Sequence, residues 1–370
     1  MTSCADHAQD TSTSFLLVCG STQPYVQFIP ELLALPKGTN YHFRFREPWL
    51  PNDVWSNPSQ LVGHHGYVVH LNQAEGRDEY LPIMRVWISS AIKLGEHVRI
   101  DFTVEELVQC KPRNTPGPNA QASRILGMYR EASAPTGPRG HFVVRVRPDS
   151  FCLQNDDANW VNIARELCRF PTFIQSTGTN PTIFLRSSWT LAERTLPGRK
   201  GRMFDPGGHL QLDAGKSYRL RLLQYIPAQD ANQRELQVDQ SRLPVTLALD
   251  TDDDIVHSSV SSVEIRGKYD DVSLDVRCRP SVSASLTMVQ VKSDAKGFVI
   301  PRVRFDNVEV KKSPHIWMAA GGAALMLMVG SLGAGIASVA HLSVGWGNVI
   351  SAIASGLAAV VIVVVGATWK

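Results

Sequence analysis

The last part of the sequence has no charged side chains. No Asp, Glu, Lys or Arg occurs between residues 316 and 369. Two apolar runs, 316–340 and 347–368, are each long enough to cross a hydrocarbon core of about 30 Å at a rise of about 1.5 Å per residue. Because the connection between them is short, the pattern predicts a C-terminal two-helix transmembrane hairpin over residues 316–369. The lack of ionisable residues inside the spans argues against a solute transporter.

Motifs that mark common enzymes and metal sites are also absent. The six cysteines show no CxxC spacing and no HExxH occurs, so neither a metal site nor a disulfide framework is indicated. The sequence contains no GxxxxGK[ST], GxGxxG or GxSxG, which argues against a conventional ATPase, dinucleotide enzyme or α/β-hydrolase. We therefore expect a protein that is not an enzyme, with no catalytic residues, no metal and no cofactor.

Two sets of polar residues are candidates for other functions, one for catalysis and one for ligand or phosphate binding. His65, His70 and Asp78 are the best residues for a divergent enzyme, although their spacing matches no ligand or acid–base motif. The glycine-rich basic loop at 198–202 predicts a site for a ligand or a phosphate group, and the residues that would bind it are Arg199, Lys200 and Arg202. The formal net charge is only +3, so direct nucleic-acid binding is not indicated and any such partner would need a local patch.

The first 203 residues are predicted to be mainly β. Alternating or compact apolar runs at 41–46, 66–71, 83–88 and 97–102 predict a small barrel or sandwich in an N-terminal β-rich domain, residues 1–111, with one helical turn at 104–108. Proline and glycine accumulate in 112–140, which predicts a linker or long loop.

The next two segments differ in pattern. Residues 141–203 are predicted as a middle α+β segment, in which the polar residues at 155–157 cap a helix over 158–170 and a strand follows at 182–185. Residues 204–312 carry seven strand signals separated by turn residues, which fits an immunoglobulin-like β-sandwich. That likeness is one of strand count and alternation, since the Cys, Trp, Cys pattern is absent and Cys278 stands alone.

Basic residues predict how the hairpin is oriented. Lysines precede the first span and follow the second, while the connecting loop has none. The N-terminus lacks the basic region of a signal peptide. We therefore expect a tail-anchored protein of the inner (cytoplasmic) membrane, with its N-terminal domains and C-terminus in the cytosol. The residues predicted at the membrane interface are Trp317, Trp346, Trp369, Lys311, Lys312 and Lys370.

Small residues recur every four positions within both predicted spans. Such stripes let helices approach closely, and packing within one hairpin and association between protomers are both open readings. The predicted assembly face consists of Gly330, Ala334, Ser338, Gly347, Ser351, Ser355 and Ala359.

A mostly β receptor portion joined to a two-span hairpin, without an enzymatic signature, resembles the two-transmembrane effectors of prokaryotic antiviral defence, such as those associated with a short Argonaute. The resemblance is one of architecture. It implies that the β domains bind a cytosolic protein sensor or ligand, and that binding makes the hairpin form homo-oligomers that disrupt the lipid bilayer. A passive membrane tether or envelope scaffold is the main alternative, because a hairpin can also serve only as an anchor.

Overall fold

The structure is a computed structural model. It describes residues 13–20, 29–74, 77–110, 141–146, 151–169, 182–192, 203–205, 207–226, 244–258, 260, 262–266, 269–279, 285–293 and 298–311. In these residues the protein is mainly β, with sixteen strands and three short α-helices arranged as an N-terminal sheet and a β-sandwich.

The N-terminal sheet has seven strands. Its order is β2-β5-β4-β3-β1-β6, β7 pairs with β5, and all neighbouring strands are antiparallel except β1 and β3. The strands are β1 Ser14–Cys19, β2 Asn40–Arg46, β3 His65–Ala74, β4 Arg77–Leu94, β5 His97–Cys110, β6 His141–Val146 and β7 Phe151–Leu153.

One strand of this sheet corrects a prediction. The helical turn expected at 104–108 is wrong, because these residues continue β5 and pair with β4. Val104 and Leu107 are both buried in the core beneath the sheet. A register shift between Arg85 and Val86 in β4 lets both residues face that core although they are an odd number of positions apart.

Helices cover one face of the N-terminal sheet. They are α1 Ile29–Ala34, α2 Asn52–Ser56 and α3 Asp157–Leu167, with 3₁₀ turns at Glu47–Trp49 and Pro58–Leu61. The predicted cap of α3 is confirmed, since the Asp156 carboxylate accepts a hydrogen bond from the Asn159 backbone N–H at 2.6 Å. The amphipathic pattern of α3 places Trp160 and Leu167 in the core under the sheet.

The sandwich contains two sheets, with orders β8-β10-β14-β12 and β13-β11-β15-β16-β9. Side chains from both sheets share one buried cluster, so the two sheets form the layers of a sandwich. The first strand, β8, comes from the predicted middle segment and pairs with β10. The strands are β8 Phe184–Leu191, β9 Gln211–Asp213, β10 Ser217–Tyr225, β11 Val245–Thr251, β12 Val256–Ser258, β13 Ser262–Ile265, β14 Tyr269–Cys278, β15 Ser285–Ser293 and β16 Val303–Lys311.

Helix α1 joins the N-terminal sheet to the sandwich. All six of its residues are buried. The last turn of a helix leaves carbonyl groups without intrahelical partners. Here the Trp160 indole Nε1 donates to the Leu33 carbonyl at 3.1 Å, and the Ser187 hydroxyl of β8 donates to the Ala34 carbonyl at 2.5 Å. Phe184 of β8 belongs to the same buried cluster as Trp160, so the two β units share a core.

The membrane predictions are corrected by the helices that the structure describes. Among the described residues, none of the helices has the length and apolar character needed to span a bilayer. The longest, α3, has 11 residues, which at about 1.5 Å per residue is roughly half of a hydrocarbon core. As far as the described helices go, this finding contradicts the predicted fold with a transmembrane hairpin, the tail anchor and the inner-membrane location. Residues 316–369 themselves lie outside the described part of the chain.

Candidate ligand-binding cleft

The two β units border a cleft of about 800 Å³. Its walls come from the end of α1 and the loop after it, from β4 and β5 of the sheet, and from β8 and residues 203–205 of the sandwich. The apolar lining is rich in aromatic and sulfur-containing side chains, including Met84, Trp87, Trp160, Trp189 and Phe204.

One wall of the cleft is fixed by Arg186, on β8. Its guanidinium donates to the Asp157 carboxylate at 3.0 Å, to the Asp156 carbonyl at 2.9 Å and to the Asn155 side chain at 2.8 Å. Arg221 on β10 donates to the same Asp157 carboxylate at 3.1 Å. These charge-assisted bonds hold the start of α3 against the sandwich, so this wall has a defined position.

The opposite wall carries Glu105, on β5. Its carboxylate lies 2.6 Å from Arg85 Nε and 3.2 Å from His65 Nδ1. Burial raises the pKa of Glu105, but the hydrogen bond from His65 and the positive charge of Arg85 outweigh burial, so its pKa lies below 4.5. Glu105 is therefore ionised at neutral pH. The neighbouring ring of Trp87 packs edge-on against His65, with 4.9 Å between the ring centroids.

A short loop at 203–209 closes one end of the cleft. The Asp205 carboxylate accepts hydrogen bonds from the His209 backbone N–H at 2.9 Å and lies 3.2 Å from His209 Nδ1. Burial raises the pKa of Asp205, yet the hydrogen bonds from His209 prevail and its pKa is lowered. The Asn40 side chain donates to the Gly207 carbonyl and ties this loop to β2.

The indole N–H of Trp189 is a hydrogen-bond donor that has no acceptor among the described residues. This residue lines the cleft and is 7% exposed, and its indole nitrogen is buried. A buried polar group left without a partner costs about 1–3 kcal/mol.

Most of the predicted site residues cannot be compared with the structure. The basic loop with Arg199, Lys200 and Arg202, the small-residue face and the membrane-interface residues other than Lys311 all lie outside the described residues. Lys311 ends β16, where its ammonium group lies 3.6 Å from the Glu309 carboxylate.

The residues named for a divergent enzyme do not converge. His65, Tyr67 and Val69 alternate on one face of β3, and Tyr67 and Val69 belong to the cluster on that side. His70 must then face the opposite side, where it is fully buried. Asp78 lies further along the sheet on β4, opposite Gln73 in the strand register. Within the described ranges, no group of three or more His, Cys, Asp or Glu residues is placed to hold a metal ion.

The cleft itself was not predicted from the sequence. Its lining residues come from strands and loops that are far apart in the chain and meet only through the packing of α1 and β8. One local signal existed, because Arg186 and Trp189 continue the strand predicted at 182–185 and place a cation and an aromatic ring beside two serines.

No protein-family model matches the chain, and a search of curated proteins finds no match. The resemblance to two-transmembrane antiviral effectors is therefore corrected, since neither comparison supports it and the described helices are too short to cross a membrane. What the described residues define is a two-unit β protein with a cleft at the junction of its units.

Proposed function

We propose that the chain is a non-enzymatic binding protein that takes a small, largely apolar ligand in the cleft between the N-terminal sheet and the sandwich. The observation that carries this proposal is the cleft of about 800 Å³ at the junction of the two units. Small-molecule sites are typically concave, have about 300–1,000 Å³, lie at domain interfaces and combine apolar walls with a few fixed polar groups.

The polar groups of the cleft favour binding over catalysis. Arg186, Glu105 and Lys37 are each engaged in ion pairs with other side chains, which fixes their orientation. Burial raises the pKa of the Cys168 thiol to about 12, and Cys19, Cys152 and Cys278 are also buried. A thiol with so high a pKa stays protonated at neutral pH and is a poor nucleophile. The cleft therefore offers shape and aromatic contact.

The ligand chemistry follows from these walls. A planar apolar molecule would pack against the rings of Trp87 and Phe204, which line the cleft and are accessible. Because the charged groups are already neutralised by partners, the ligand itself is expected to be uncharged.

The proposal is tested with a variant in which a large side chain blocks the cleft. Neutral aromatic fragments are screened against the full chain by ligand-observed NMR, with Ser188→Trp as the blocking variant. Ser188 lines the cleft, whereas Thr190, two positions further along the same strand, is exposed and outside it. Fragments should bind the wild type and Thr190→Trp but not Ser188→Trp. Equal binding to both variants, or no binding to the wild type, would refute the proposal.

A further inference from the structure

A basic face covers the outer side of β2 and β5. In β2, Phe43 and Phe45 point into the core, so His42, Arg44 and Arg46 point outwards. In β5, Val98 and Ile100 point into the core, so His97 and Arg99 point outwards. These five outward residues, His42, Arg44, Arg46, His97 and Arg99, are called the basic face below.

The strand register brings the positive charges of the basic face together. Arg44 lies directly opposite Arg99, and Arg46 lies directly opposite His97. Arg46 Nε donates a hydrogen bond to His97 Nε2 at 3.4 Å, so only Arg44 and Arg99 are directly opposed cations, an arrangement that is destabilising in an antiparallel pair. The Asp101 carboxylate lies on the same outer face, 2.7 Å from Arg99 Nε, and the side chains of Arg44 and Arg46 are exposed. Three guanidinium groups and one carboxylate therefore share this face, which leaves it with a net positive charge.

Exposed apolar side chains border the basic face on β4. Trp87 is 41% exposed, and Ile92 and Leu94 are each 52% exposed. Val86, Ile88 and Ala91 pack on the core side of this strand, which places the three exposed side chains on the same outer surface as the arginines. The register places Ile92 opposite Arg99 and Leu94 opposite His97, whereas Trp87 lies opposite Thr103, further along the same outer surface.

We propose that this surface binds single-stranded nucleic acid. Arg44 and Arg46 are two positions apart, about 6.6–6.8 Å along an extended strand, and can contact successive phosphates of one backbone. Trp87 offers an exposed aromatic ring for an unpaired base. An open sheet face that combines cations with aromatic and apolar side chains suits a single strand, because only unpaired bases expose their faces for stacking.

This inference goes beyond the proposed ligand cleft and does not depend on it. The formal net charge of the whole sequence, +3, does not by itself indicate a nucleic-acid partner. The basic face places three arginines on two paired strands with one carboxylate, that of Asp101, among them, and this local excess of positive charge is the kind of patch that a weakly charged protein needs to attract a polyanion.

Binding is measured by fluorescence anisotropy with the full chain and a fluorescein-labelled oligo-dT of about 12 nucleotides, titrated between about 50 and 200 mM salt. The test variant is Arg44→Gln with Arg46→Gln. Its matched control, Arg219→Gln with Arg266→Gln, removes the same charge from exposed arginines of the sandwich. The control should bind like the wild type. In the test variant the slope of log affinity against log salt should fall by about 1.4, at about 0.7 per phosphate contact.

A second variant tests base stacking. Trp87→Ala should weaken oligo-dT binding about tenfold while leaving the salt slope unchanged, because no charge is removed. The proposal is overturned if the wild type does not bind oligo-dT at the lowest salt, or if the arginine test variant and its control bind equally. It is also overturned if polyglutamate of equal charge displaces the oligonucleotide as well as unlabelled oligo-dT does, since that outcome points to an acidic protein partner.

Discussion

The Trp160 hydrogen bond at the junction of the two β units can be tested by Trp160→Phe. Trp160 is fully buried, and its indole N–H is the donor to the Leu33 carbonyl at the end of α1. Phenylalanine leaves that buried acceptor without this donor, at about 1–3 kcal/mol. The smaller ring adds a packing loss of about 1–2 kcal/mol. We expect the free energy of unfolding to fall by about 3 kcal/mol.

Trp189→Phe is the matched control, because the chemical change is the same and the residue is also buried. The Trp189 indole nitrogen has no acceptor in the part of the chain that the structure describes, so only packing is lost. Urea unfolding followed by far-UV circular dichroism should show Trp160→Phe less stable than Trp189→Phe by about 1–3 kcal/mol. Equal losses, or a larger loss in Trp189→Phe, would refute the role of this hydrogen bond.

Two further predictions concern Glu31 and Gly208. Burial raises the pKa of Glu31 above 4.5, even though the Tyr41 hydroxyl donates to it at 3.0 Å. The folded state then binds more protons than the unfolded state above pH 4.5, so stability is lost as pH rises through the folded pKa. Glu31→Gln should gain stability over the wild type between about pH 4 and pH 7 in urea unfolding, and a difference that does not change with pH would contradict this. Gly208 has φ +77°, and an added Cβ would lie 2.9 Å from the Asn40 backbone nitrogen. Gly63 has a similar φ of +80°, but an added Cβ there would meet nothing within 4 Å. Gly208→Ala should therefore lower the free energy of unfolding by at least about 1 kcal/mol more than Gly63→Ala does. If thermal unfolding shows Gly63→Ala to be the less stable variant, this prediction is contradicted.

Strand positions could be predicted because alternation is a local signal. One of the seven strand signals predicted in 204–312 spans 218–225 and matches β10 within one residue, and the cap at Asp156 follows from residue types that favour helix starts. In β4, by contrast, only 83–88 was predicted of the 18 residues between Arg77 and Leu94. Its register shifts change which side chains face the core, so a simple alternation does not run through the whole strand.

Helix α1 was missed for a different reason. Its six residues are buried on every side, and the buried Glu31 interrupts the apolar pattern that would mark a helix. The basic face illustrates the same limit in a sheet. The alternation in 41–46 and 97–102 places Arg44 and Arg99 on solvent-facing sides, but their contact depends on the pairing of β2 with β5, and two other strands separate these in the chain. Long-range pairing of this kind cannot be predicted from any local sequence pattern.

The cleft and the basic face meet at the two strands that carry both. Thr103 of β5 and Trp87 of β4 line the cleft and lie opposite each other in the register, on the same outer surface as Arg99, which is four positions from Thr103 along β5. If Trp87 stacks on a base and also contacts a cleft ligand, each partner changes the environment that the other binds. Thermodynamic reciprocity then requires that a cleft ligand alters oligonucleotide affinity by the same factor by which the oligonucleotide alters ligand affinity. Because the junction around α1 is buried and hydrogen-bonded, that coupling would act through the shared side chain and not through movement of the two units.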